Sequence, residues 1–309
     1  LHAKDRRQRQ MFIRDSNMHP SPHLSIDRGH LSSVTMVWSM DYQTSWFDNR
    51  HGILTVEPLL ETESRTLASA KKLAGSGERT YPLAWTFGLN GSGVVVGVAD
   101  TGIDSDHSCF RNISSSSIGY EHRKLLHVNT TIDDWDSSGH ADYRHGTHTA
   151  GILGCHPVDT ATGNVAPSAM MALGYDTRLV VQDIVSDDGW VPPDVDLLLA
   201  ESAMYGGFIH SNSWGDDTTD YTLRSGDFDA FTREFPWTLP LIAPGNNGER
   251  VLEPANARNV VAVGASTKDD VTERWVGSVH GPTDSDTRGI FALAPGASIV
   301  SARSDGMPD

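Results

Sequence analysis

A chain of 309 residues exceeds the usual 100 to 200 per domain and predicts one large α/β domain with an appended segment. Hydrophobic residues at 38% and charged residues at 21% fit a soluble globular protein, and no window approaches the ~18 consecutive apolar residues of a membrane span. Fibrous and membrane-embedded classes are excluded, and a formal net charge of −16 argues against nucleic acid as a partner.

Residues 1–80 read as polar and irregular: a basic opening (KDRRQRQ), the cluster HPSPH, and a short ESRTLASAKKL of helical composition. No function attaches to them. From Tyr81 onward apolar runs alternate with Gly, Pro and Asp, so residues 81–309 form the globular part. GVVVGVA at 93–99 is β-branched and nearly all apolar, the mark of a strand buried on both faces, and it ends in DTGID. MMALGY, RLVVQDI, FIHSNS, LPLIA, NVVAVGA and IFALA are further predicted strands. Between them PPDVDLLLAESAMYGG opens on Pro and closes on Gly, while SGDFDAFTREFP starts with Ser and Asp and ends with Pro, so both read as helices. Strands alternating with helices predict a parallel sheet covered on both faces, with chemistry at the carboxyl ends of its strands.

The charge is uneven. From Asp176 to Asp229 twelve Asp or Glu face only Arg178 and Arg224. That run is either a solvated acidic surface or a cleft favouring basic substrates or a cation. Cys109 and Cys155 allow one bridge or two buried thiols, and too few cysteines are present for a disulfide-built scaffold. Asn112 in NIS and Asn129 in NTT match the glycosylation pattern, which by itself says little. No signal-peptide pattern opens the chain, and its start at Leu1 fits a processed or truncated sequence.

Candidate chemistry gathers at the strand ends. Asp100 closes the first buried run, where Thr101 and Gly102 permit a tight turn that would hold its carboxylate ionised. HGTHTAG at 145–151 carries His145 and His148 among small residues. A histidine is the usual general base near neutral pH. Zinc does not fit: HGTH lacks the Glu and the i+4 spacing of the helical zinc motif, and neither His127, His140 nor His156 is marked as a third ligand.

VVVGVADTGID, HGTHTAG, HSNSWG, LIAPGNNG, PANARNVVAVGAST and LAPGASIVSARS follow one another in the order and approximate spacing of the subtilisin-like serine proteases, and residues 82–303 resemble that family. The resemblance implies a three-layer α/β/α fold with a mainly parallel sheet, its C-terminal part missing here. It also implies peptide-bond hydrolysis by an Asp-His-Ser triad. Asp100 resembles the triad aspartate, His145 the general base and Asn246 the oxyanion-hole donor, which leaves His148 as a structural neighbour. Ser213, Trp214 and Gly215 resemble the strand edge that pairs with an extended peptide. Protein or peptide substrates and a secreted or extracytoplasmic location follow from the same likeness. No cofactor is required; calcium is common in the family, but no ligand loop here is specific enough to name. Oligomeric state leaves no trace in the sequence.

Two departures stand out. Pro244 occupies a place where a small residue is commoner, and no GTSMA-like serine block follows before Asp309. Ser202 lies inside a predicted helix and Ser266 ends a predicted strand, so neither has the turn geometry of a nucleophile. The expectation is therefore an endopeptidase sequence cut at both ends. Its alternative is a pseudoenzyme that binds extended peptides.

Overall fold

The computed structural model describes residues 83–113, 117–132, 136, 144–158, 171–267 and 272–306, together with the backbone of five strands before residue 65. HPSPH, His140 and most of ESRTLASAKKL lie outside the described residues. The chain divides into two compact units, Leu1–Glu61 and Thr62–Asp309.

The first unit is not irregular throughout. β1 (Arg9–Asp15), β2 (Ile26–Arg28), β3 (Leu31–Trp38) and β4 (Ile53–Leu59) form an antiparallel sheet in the order β2-β3-β1-β4. Runs such as SSVTMVW and ILTVEPL carry the β-branched and aromatic residues that suit strands, a signal outweighed in the sequence by their polar flanks.

The second unit opens with β5 (Thr62–Ser64), so Glu63 and Ser64 of the expected helix are in a strand, and α1 (Leu83–Thr86) follows. Next come β6 (Val95–Asp100), β7 (Leu125–Asn129), α2 (His145–Gly154), β8 (Arg178–Asp183) and the small hairpin of β9 (Val185–Ser186) and β10 (Gly189–Trp190). α3 (Val195–Met204), β11 (Ile209–Asn212), β12 (Trp214–Asp216), α4 (Leu223–Glu234), β13 (Leu239–Ile242), β14 (Val261–Ser266) and β15 (Ala292–Pro295) complete it. α4 begins earlier than expected because Thr222 caps it, its hydroxyl accepting from Ser225 N.

Seven of these strands form one sheet in the order β15-β14-β13-β11-β6-β8-β7, and every ladder in it is parallel. The mainly parallel α/β architecture expected from the alternation is the one observed. Side-chain alternation along β6 explains the layers. Val96 and Val98 point to one face and pack with Ala150 of α2, while Ala99 points to the other and packs with Leu198 of α3. Each face thus has its own helix and its own apolar core. No described helix is long and apolar enough to cross a membrane.

MMALGY is not a strand: Leu173–Asp176 is a turn. β8 already has β6 and β7 on its two edges, so no edge is left there for another strand, and Thr177 N closes the turn onto Gly174 O instead. LLHVN, unassigned in the sequence, supplies the edge strand β7.

Cys109 and Cys155 form a disulfide with Cα atoms 4.5 Å apart. It ties the loop after β6 to the residue that ends α2. In the chain-entropy account, a link across a separation of 46 residues removes freedom from the unfolded chain. Replacing both cysteines with Ala is expected to cost about 4 kcal/mol by chemical denaturation. A loss under 1 kcal/mol would contradict that account.

Candidate active site

β6 and β11 are neighbours at the point where the chain's winding reverses: β8 and β7 lie on one side, β13, β14 and β15 on the other. A crevice opens at such a switch point, outside the carboxyl ends of the strands. Asp100 ends β6, wholly buried, and its Oδ1 accepts from Thr101 N at 2.8 Å. The same oxygen meets His145 Nδ1 at 2.6 Å. Residues 45 positions apart in sequence are thus brought into one short, charge-assisted contact.

α2 is held against the turn after β6 by a dense set of bonds. Gly146 is glycine because a Cβ there would lie 2.1 Å from the carbonyl oxygen of Gly102. Gly146 N donates to Thr101 Oγ1 at 2.7 Å, and Asp104 N donates to Thr147 Oγ1 at 2.9 Å. DTGID and HGTH therefore interlock residue by residue. Arg144, before the helix, takes a left-handed φ of 74°, a conformation that non-glycine residues adopt only when their surroundings impose it.

The residue that imposes it escaped the sequence. Asp136, fully buried, accepts from Thr101 Oγ1 at 2.7 Å, Arg144 N at 2.7 Å and Thr147 N at 3.0 Å. It caps α2 from outside the helix, where its charge also suits the helix N-terminus. Burial raises its pKa, and these hydrogen bonds oppose the rise. In the sequence Asp136 is one acid in DDWDSSGHAD, and its place near His145 had no spacing rule to announce it.

His148 is close enough to His145 for its charge to matter: burial lowers the pKa of His148, and His145 lowers it further. Its carbonyl oxygen accepts from Ser301 Oγ at 2.7 Å. Among the described residues no three His, Cys, Asp or Glu side chains gather as a metal site.

A cavity of about 260 Å³ is lined by Thr149, Ser213, Ala243, Asn246, Ala265 and Gly296, among others. Thr149 lies one helical turn from His145 on the same face of α2. Asn246 is exposed on the rim. Gly245 before it has φ 122°, and a Cβ there would lie 2.8 Å from Leu252 Cδ1. Pro244, two residues before Asn246, is buried.

Trp214 and Gly215 belong to β12, which pairs antiparallel with β5, Gly215 opposite Glu63. Trp214 is fully buried. Beside its ring the Arg224 guanidinium sits 2.9 Å from Asp216 and 2.8 Å from Glu253. Burial works to lower the pKa of Arg224, but the charges of Glu253 and Asp216 outweigh it and hold the group above its ordinary value. Part of the acidic run is thus neutralised internally.

The subtilase family model (Peptidase S8) matches residues 91–307. The serine protease/ABC transporter B family protein tagD of Dictyostelium discoideum is 32% identical over 190 residues, 57% of this chain and 10% of that protein. The chain thus spans about a tenth of that relative's length. Subtilisin BL of Lederbergia lenta is 29% identical over 225 residues, 71% of this chain and 70% of that one. The solved protease domain of PatA superposes with a TM-score of 0.51 at 24% identity, over 70% of this chain and 71% of that chain, and supports the fold. With the family model spanning most of its length, the chain belongs to the subtilase family.

Proposed function

We propose that this chain carries the aspartate and histidine of a serine endopeptidase whose nucleophile, a serine in a GTS-type block, lies outside residues 1–309. The observation that carries the reading is the 2.6 Å contact of His145 with buried Asp100, one helical turn along α2 from Thr149, which lines a cavity together with Asn246 and Ser213. Asp100 holds the His145 ring with its proton on Nδ1, leaving Nε2 to take a proton from the serine hydroxyl as it attacks the peptide carbonyl. The Asn246 amide donates to the oxyanion, and the backbone around Ser213, Trp214 and Gly215 pairs with the extended substrate. Turnover falls as His145 takes up a proton, since an imidazolium cannot act as a base.

The test compares the 309-residue chain with one extended through a serine block. The extended protein is expected to cleave peptides and to be stopped by serine-directed inhibitors, the shorter one not. Robust, inhibitor-sensitive cleavage by the 309 residues alone would overturn the assignment of the serine. In the extended protein, Asn246→Ala is expected to lower kcat roughly 10²- to 10³-fold, the scale measured when such a donor is removed from a subtilisin. An effect on KM alone would take Asn246 out of the oxyanion role.

The β5–β12 pairing lays Thr62–Ser64 along the proposed peptide edge, which supports a reading of that short stretch as propeptide-like. It also favours the alternative function, a subtilase-like pseudoenzyme that binds extended peptides. Peptide binding without turnover in the extended protein would decide for that alternative. A buried disulfide suits the oxidising, extracytoplasmic location we propose.

A further inference from the structure

Polar side chains cross the face of the sheet under α3, where apolar residues are the rule. His210 and Asn212 of β11 stand in register with Gly97 and Ala99 of β6, Ala99 stands opposite Gln182 of β8, and Gln182 opposite Asn129 of β7. Gly97 is small for a reason. A Cβ on it would lie 2.3 Å from the His210 ring, and through that gap His210 Nε2 reaches Gln182 Oε1 at 2.8 Å. Gln182 Nε2 donates to Leu198 O at 2.8 Å and to Glu201 Oε2 at 2.7 Å. Glu201 also accepts from Asn129 Nδ2 and meets His127 Nε2 at 3.0 Å.

Both amide hydrogens of Gln182 are spent on acceptors, so its Oε1 accepts and His210 carries a proton on Nε2. On the other side of the ring, Nδ1 lies 3.2 Å from Asn212 Oδ1, also an acceptor. That contact is a hydrogen bond only if Nδ1 is protonated too. The Asn212 amide as oriented then donates to His210 O at 3.3 Å and reaches Leu241 O of β13 at 3.5 Å. A ring with one proton requires the amide to turn, which sets its oxygen against those two carbonyls.

We propose that His210 is a positioning residue for the candidate active site: doubly protonated, it orients Asn212 to tie the carboxyl ends of β11 and β13, and singly protonated it releases that tie. Those two strands lead into Ser213 and into Ala243–Asn246, which line the same cavity. The proposal rests on the reading of that cavity as the substrate site. The groups around His210 are Asn212 on its own strand, Gly97 on β6, Gln182 on β8, and Ser202 on α3, whose hydroxyl donates to Gly207 O. Beyond Gln182 stand Glu201, whose charge bears on the ring, and His127 on β7. Burial lowers the pKa of His210 to about 4, opposed by the Asn212 hydrogen bond and the charge of Glu201.

Nitrogen-15 NMR of the 309-residue chain, titrated from neutral into acid pH, reads the ring and the amide together. Protonation of His210 Nδ1 and a shift of the Asn212 side-chain amide are expected in one step. An extended peptide should bind roughly 3- to 10-fold more tightly below that step, the worth of about one hydrogen bond. Asn212→Asp, which puts a carboxylate beside Nδ1, should raise the midpoint by about 1–3 pH units. An Asn212 amide that ignores the ring, or a midpoint unmoved by that substitution, overturns the coupling. Peptide binding that is measurable but flat across the step overturns the positioning role. Absence of peptide binding at every pH, with the joint step intact, sinks the substrate-site reading and leaves the His210–Asn212 coupling standing.

Discussion

In an enzyme assembled with its serine, Asp100→Asn is expected to lower kcat by about 10⁴-fold while KM changes little, the scale seen when triad aspartates are removed from serine proteases of this fold and others. The geometry explains why neither orientation of the new amide works. If its oxygen stays on Thr101 N and His145 Nδ1, the NH2 group falls at the position of Oδ2, which is buried and without a hydrogen-bond partner among the described residues. The charge that stabilises the imidazolium is then gone. If the amide turns, its NH2 opposes the Thr101 N–H and drives the His145 proton to Nε2, the nitrogen that must act as base. Stopped-flow separation of binding from chemistry reads the split directly. Turnover within about tenfold of the parent would remove Asp100 from the mechanism.

Much of the fold was legible because buried parallel strands announce themselves. The apolar runs in GVVVGVA, RLVVQDI and NVVAVGA mark strands of a sheet with helices on both faces, while Gln182 in RLVVQDI is a polar exception that belongs to the row under α3. β7 was missed because it is an edge strand whose polar residues serve the row on Glu201: His127 and Asn129 break the apolar run that strand recognition depends on. MMALGY misled for the opposite reason, being apolar enough for a strand with no edge left beside β8. The acidic run from Asp176 to Asp229 could not be read either way in one dimension. Asp216 pairs with Arg224, Glu201 holds three polar side chains, and Asp229 accepts from the backbone of Arg258 and Asn259. Asp216 meets a cation already counted among the bases of the run, and the hydrogen bonds to Glu201 and Asp229 leave their charges in place, so the excess of acids over bases stands although these carboxylates are held internally. The pairing of Asp100 with His145 rests on the resemblance of short motifs, whereas Asp136 lies in a segment without a motif and only the fold brings it there.

Asp136→Ala is the substitution that tests how much of the site depends on that residue, and it is expected to cost about 5 kcal/mol of stability. The figure comes from three donors, Thr101 Oγ1 and Thr147 N buried and Arg144 N partly so, left without this acceptor at roughly 1–3 kcal/mol each. Two of them flank the chemistry, since Thr101 follows Asp100 and Arg144 precedes His145. Losing the acceptor should therefore loosen the Asp100–His145 contact as well as the start of α2. Asp136→Asn separates these effects. Its single oxygen can still serve Thr101 and Arg144, both of which bond Oδ1, while its NH2 opposes the Thr147 N–H at the position of Oδ2. The asparagine variant should lose only about 1–3 kcal/mol and keep the His145 Nδ1 proton shifted far downfield in the NMR spectrum, where the alanine variant loses that signal. Equal losses in urea unfolding for the two variants would show that the carboxylate acts through its charge at the helix N-terminus rather than through the individual bonds it accepts.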